Sequence, residues 1–210
     1  IDNNMVTANA FTSNNISCDA TASLTGNDPS VQLATGLWTV STGATISNST
    51  SFAITASNLA PDNNIFTWTV TRGTCNASAS VTITNNQAIA AVGGNLINVC
   101  GPTATLNAFD PAPNSGLWTI EAADPGVTIV NPTLYNTSVN NITNTATFRW
   151  TVTKATCSNF TTVTVNNNQI TLNNGAPQTI CANFGTLNAG GALAPGYSGA
   201  WTSAGSNPVI

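Results

Sequence analysis

No histidine occurs anywhere in the 210 residues, and only three side chains are basic against seven acidic ones. The missing imidazole excludes every Ser-His-Asp and Cys-His nucleophile arrangement. The scarcity of positive charge excludes a basic stripe. Arg72, Arg149 and Lys154 cannot neutralise a row of phosphates, so nucleic acid is not an expected partner. No run of 18 or more apolar residues exists, and no membrane insertion is expected. The first residues also lack a charged stretch followed by an apolar one, so no signal peptide is read there. Charged residues make up only 5% of the chain, as in some disordered sequences. Disordered chains, however, also lack aromatic and β-branched residues. Five Trp, seven Phe and abundant Val, Ile and Thr instead predict a folded β protein.

What the chain does contain, it contains twice. "FTWTVTRGTC" at 66–75 returns as "FRWTVTKATC" at 148–157, and "VTITNNQ" at 81–87 returns as "VTVNNNQ" at 163–169. The cysteines keep the same beat: Cys18 to Cys75 is 75 − 18 = 57, and Cys100 to Cys157 is again 157 − 100 = 57. Cys181 continues the series, since 181 − 100 = 81 and 100 − 18 = 82. Trp38, Trp118 and Trp201 each trail a cysteine at nearly constant distance (38 − 18 = 20, 118 − 100 = 18, 201 − 181 = 20). Trp68 and Trp150 each precede one at the same distance (75 − 68 = 157 − 150 = 7). Self-similarity at a fixed period marks a repeat array. The phase predicts residues 1–4 as the end of a preceding repeat, 5–86 as repeat 1, 87–168 as repeat 2, and 169–210 as the N-terminal half of repeat 3.

Within a unit the pattern alternates. Phe66, Trp68 and Val70 share one face of a strand and Thr67, Thr69 and Thr71 the other. "TASLTG", "GLWTV" and "ASVTIT" read the same way, separated by Asn, Gly and Pro, and return one period later as "TATLNA", "GLWTI" and "TTVTVN". Period-two runs bounded by turn residues are half-buried strands. About seven of them per unit predict an all-β fold of tandem Ig-like sandwich domains stacked end to end. Trp38, Trp68, Trp118, Trp150 and Trp201 are the expected core, each pair meeting from facing sheets.

The order of these marks is specific. A Cys before the second strand, G-x-W on the third, F-x-W-T-V-T on the sixth and a Cys in the following hairpin recur together. The pattern resembles the tandem PKD-like, Ig-like repeats of large Bacteroidota cell-surface proteins, including gliding-motility adhesins exported by the type IX system. That resemblance covers both full units and the partial third. It implies an extracellular, surface-anchored adhesin or stalk whose neighbours are further repeats of its own chain. Where many PKD domains read W-D-F-G-D-G, this chain has "WTVSTG" and "WTIEAA".

Regular cysteines in a chain of this kind point to structural disulfides and an oxidising compartment. Two pairings compete. Loop-closure entropy is worth about 4 kcal/mol for Cys18–Cys75 and about 5 for Cys18–Cys157, too close to choose. Geometry must choose. The turn before the second strand and the hairpin after the sixth lie at opposite ends of one sandwich, separated by a strand of about 23 Å. A disulfide needs Cα atoms within about 7 Å. Head-to-tail stacking would bring Cys18 to Cys157, leaving Cys75, Cys100 and Cys181 to pair beyond these 210 residues. The rival joins Cys18 to Cys75 and Cys100 to Cys157.

The sequence holds little reactive chemistry. The cysteines are isolated singly rather than clustered for zinc, and no D-x-D calcium spacing occurs, so no catalytic residue, metal or cofactor is expected. Asp28 and Asp110 each precede a Pro at equivalent places and read as turn residues. Thr-x-Thr rows are the ordinary polar face of a wet sheet. Two functions remain: a shaft that supplies reach, or a module that binds a surface glycan or another cell-surface protein. The second predicts aromatics unique to one unit and outside the core, for which Phe109, Tyr135 and Tyr197 are the candidates.

Overall fold

The computed structural model describes residues 4–170 together with 185–187, 196 and 198–202. Residues Ile1–Asn168 form one compact unit and Gln169–Ile210 a second. Strands form where the sequence alternates. In the first half of the larger unit they are β1 (Ala10–Thr12), β2 (Ile16–Ser17), β3 (Ala22–Gly26), β4 (Thr35–Val40), β5 (Thr45–Ile46), β6 (Ala53–Ser57), β7 (Asp62–Arg72) and β8 (Cys75–Asn85). The second half follows with β9 (Leu96–Val99), β10 (Ala104–Asn107), β11 (Ser115–Ala122), β12 (Thr128–Ile129), β13 (Asn136–Asn140), β14 (Thr145–Lys154) and β15 (Cys157–Asn167).

Each half closes two sheets over its own core. The first has sheet orders β1-β3-β6-β5 and β2-β8-β7-β4; the second has β10-β13-β12 and β11-β14-β15-β9. Among the described strands all ladders are antiparallel except β2 on β8 and β9 on β15, where the opening strand crosses to the other sheet and runs parallel to the last. First, second, fifth and fourth strands on one sheet, with third, sixth and seventh on the other, is the immunoglobulin arrangement. The two cores share no residue: one runs from Val6 to Ile83, the other from Ala88 to Val165.

Trp38, Trp68, Trp118 and Trp150 are at most 1% exposed. They do not meet from facing sheets, the arrangement that alternation alone suggests. Trp38 and Trp68 are direct cross-strand partners on β4 and β7 of one sheet, with ring centroids 5.2 Å apart. Trp118 and Trp150 repeat the arrangement on β11 and β14 at 5.1 Å. Third and sixth strands pair edge to edge in this topology, so residues in phase rise side by side. The facing sheet supplies Leu24, Ile54 and Ala56 in one half and Leu106 and Val139 in the other.

The glycine of "GLW" follows from that packing. A Cβ on Gly36 would sit 2.1 Å from the Trp68 ring, and one on Gly116 would sit 2.1 Å from Trp150. The six-ring end of each indole therefore lies directly on strand backbone, where only glycine fits. Trp201, also expected in a core, is instead 46% exposed. Cys181 lies outside the described residues.

Candidate functional site: the junction between sandwiches

Two hairpins, β7–β8 and β14–β15, turn on two residues each, Gly73-Thr74 and Ala155-Thr156. The first turn residue is left-handed in both, with φ of 60° at Gly73 and 51° at Ala155. A side chain there costs about 1–2 kcal/mol, of which glycine's extra unfolded freedom takes back about half. Ala155→Gly is therefore expected to stabilise the second sandwich by about 0.5–1 kcal/mol, read as a higher denaturation midpoint at unchanged slope.

This second hairpin sets Cys157 against the first sandwich. Cys157 opens β15, is 1% exposed and bonds Cys18, with the two Cα atoms 5.3 Å apart. The pairing runs between repeats; the alternative within repeats is not formed, and Cys75 and Cys100 are free and exposed. Around the bond, Cys157 Sγ lies 3.7 Å from the Ser17 carbonyl oxygen. Lys154 Nζ donates to Asp62 Oδ1 at 3.1 Å and to the Asn85 carbonyl at 3.2 Å. Within the second sandwich, Asn159 Nδ2 donates to the carbonyl of Ala88 at 3.2 Å. The Asp62 side chain is 78% exposed, so its ion pair contributes at most about 1 kcal/mol and weakens with salt. The covalent link contributes more than these polar contacts.

Elsewhere the polar groups satisfy one another. The hydroxyls of the Thr rows pair across strands, Thr67 with Ser80 at 2.8 Å and Thr69 with Ser78 at 2.9 Å. Asp28 accepts from the Ser30 amide and Asp110 from the Ala112 amide, closing turns around Pro29 and Pro111. The Thr21 hydroxyl and amide, with the Ser17 hydroxyl, hold the Asp19 carboxyl below the usual carboxylate range. Thr143 and Asn144 do the same for Asp124. Among the described residues no group of three or more His, Cys, Asp or Glu side chains comes together.

Of the expected unit-specific aromatics, Phe109 is 64% and Tyr135 36% exposed, the latter lending its carbonyl to Trp118 Nε1 at 3.3 Å. Tyr197 lies outside the described residues. Phe160 was missed. It is 53% exposed on the outer face of the second sandwich, with the Arg149 guanidinium 4.2 Å from its ring centroid and Arg149 paired to Glu121. Comparison of the repeats signals it, because the first sandwich places Ser78, Thr67 and Ser41 at these positions.

No family model matches the chain, and no curated protein matches it. Among solved structures it is similar to extracellular domains 3–5 of Drosophila OTK, at 13% identity and TM-score 0.41, covering 75% of this chain and 60% of that one. It is also similar to the insect immune protein hemolin, at 15% identity and TM-score 0.48, covering 75% and 46%. The N-terminal four Ig domains of Dscam1 align at 10% identity and TM-score 0.38, covering 77% and 46%. The chain thus spans less than two thirds of each of these relatives. Likeness at that level carries no activity or partner across, and the strand order itself fixes the fold. The chain is an all-β tandem of Ig-like sandwiches in which one repeat is bonded to the next through Cys18 and Cys157.

Proposed function

We propose that this chain is part of the shaft of a long secreted cell-surface adhesin or filament, where repeats supply reach for adhesion or gliding motility. The observation that carries the reading is the disulfide between successive repeats. A bond inside a sandwich would stabilise one domain; a bond across a junction fixes two domains to each other and suits a load-bearing string. Disulfides persist in oxidising compartments, which agrees with an exported protein. The order of Cys, G-L-W and F-x-W-T-V-T marks supports repeats of the Bacteroidota surface-adhesin kind, exported by the type IX system. In this role the chain needs no catalytic residue, and its first partners are neighbouring repeats of its own chain.

Pulling the chain by its ends tests the reading. The Cys18–Cys157 bond closes 139 residues out of the force path. The oxidised chain is expected to release none of that length. Reductant should unlock roughly 460–500 Å, at about 3.3–3.6 Å per extended residue. Equal extension with and without reductant would remove the mechanical role.

A second reading, a glycan- or protein-binding accessory module of a larger secreted protein, has one observation in its favour. The Phe160–Arg149–Glu121 cluster is present on the second sandwich only. Phe160→Ala should abolish retention on a glycan surface if that reading holds, and should leave the pulling result unchanged.

A further inference from the structure

The junction joins two different ends: the turn after β2 of one sandwich and the β14–β15 hairpin of the next. Each sandwich has both kinds of end, and among the described residues one of each kind is left unjoined. The β7–β8 hairpin carries Cys75 where the bonded hairpin carries Cys157, and Arg72 where it carries Lys154. The turn after β9 carries Cys100 where the bonded turn carries Cys18. Asn144, whose carbonyl accepts from the Asn167 amide, stands where Asp62 pairs with Asn85. Both unjoined cysteines are free and exposed.

The chain's own first described residue lies against the Cys75 hairpin. Asn4 Nδ2 is 3.3 Å from where a Cβ on Gly73 would be. By sequence phase Asn4 corresponds to Asn86, and Gly73 to Ala155. The neighbouring residue Asn85 gives its carbonyl to Lys154 at the joined end. Chain therefore enters the first sandwich past its hairpin much as it enters the second.

From this we infer that the Cys75 and Cys100 ends are the two halves of one heterologous docking surface. The occupant of each is the opposite end of another sandwich of this same kind, supplied in solution by a second copy of this chain. The inference rests on the shaft reading only for its biological setting. In docking, Arg72 faces Asn144 as Lys154 faces Asp62, and Cys75 meets Cys100. Thiol–disulfide exchange with a low-molecular-weight disulfide completes the bond. Both thiols lose a proton and are oxidised, and the small disulfide is reduced to two thiols. Because the two surfaces differ, the contact does not close on itself and propagates head to tail. Bonds of this kind overlap along the array. The loop Cys18–Cys157 contains both Cys75 and Cys100, so successive links interleave and each repeat is held to both neighbours.

The test uses the full chain with Cys181→Ser, oxidised by a glutathione redox pair, then non-reducing electrophoresis and peptide mapping. The expected products form a ladder whose new cross-linked peptides join Cys75 to Cys100. Random encounter would put about half of the bonds in that class; preorganised docking should favour it about tenfold over symmetric ones. Adding Cys75→Ser or Cys100→Ser should abolish the ladder. Mixing those two variants should restore a dimer and nothing larger. Arg72→Glu should slow formation of the Cys75–Cys100 bond without altering Cys18–Cys157. Symmetric Cys75–Cys75 or Cys100–Cys100 products in the random proportion, or no ladder at all, overturn the inference. Either outcome leaves the pulling result untouched, so its failure is separable from that of the shaft.

Discussion

With Cys18 and Cys157 both replaced by serine, the chain is expected to lose about 5 kcal/mol of stability while keeping its β structure. The magnitude follows from the 139-residue separation, since loop-closure entropy removed from the unfolded chain grows with the logarithm of that length. Retention of fold follows from the cores. Each sandwich closes over its own cluster, and neither cluster includes a residue from the other half. Breaking the junction therefore uncouples two domains and unravels neither. In denaturant the oxidised wild-type chain should unfold near one midpoint. The variant should show two earlier transitions, because the contacts of Lys154 with Asp62 and with the Asn85 carbonyl are too weak to hold the halves in step. Reductant added to the wild type should reproduce the variant. A variant that unfolds at the wild-type midpoint would mean the bond adds nothing to the cohesion of the pair.

Much of this architecture is legible in the sequence because each sandwich is written in period two. Phe66, Trp68 and Val70 alternate with threonine on β7, and all three are fully buried. Strands of two residues, such as β2, β5 and β12, are too short to show any period. Sheet membership is not written in alternation at all. Trp38 and Trp68 announce themselves as inward-facing, but whether they meet across the core or along a ladder depends on which strands pair. The disulfide shows the same limit: the weak logarithmic dependence on loop length made two pairings comparable in entropy, and the positions of sandwich ends chose between them. Asp28 and Asp110 were readable as turns because the signal is local, an Asx side chain ahead of proline. Phe160 was hidden for the opposite reason. It looks like one more alternating residue until Arg149 and Glu121, well separated from it in sequence, converge beside it.

Trp68→Ala is the second change with a large expected effect, about 3–5 kcal/mol against the first sandwich alone. Trp68 is fully buried, touches Trp38 across the ladder and covers Gly36 and Gly26. Truncation leaves a cavity that two glycines cannot fill and removes an aromatic pair worth about 1 kcal/mol. A sandwich of this size has total stability of about 5–15 kcal/mol, so the first repeat becomes marginal while the second keeps its midpoint. Gly36→Ala attacks the same contact from the backbone side. The new methyl would meet Trp68 at 2.1 Å, far inside contact distance, so the ring must leave its place or the strand must bend. Overpacking of this kind costs about 1–3 kcal/mol. Combining Gly36→Ala with Trp68→Phe distinguishes steric conflict from general loss of glycine. Phenylalanine lacks the six-ring atoms of the indole that occupy the methyl's space, so the double variant should lose less than the sum of the singles by about 1 kcal/mol or more. Trp68→Phe also removes an indole N–H that has no protein acceptor among the described residues. Its own cost should therefore stay well below that of the alanine variant. Strict additivity of Gly36→Ala and Trp68→Phe would show that the glycine serves the strand and not the indole.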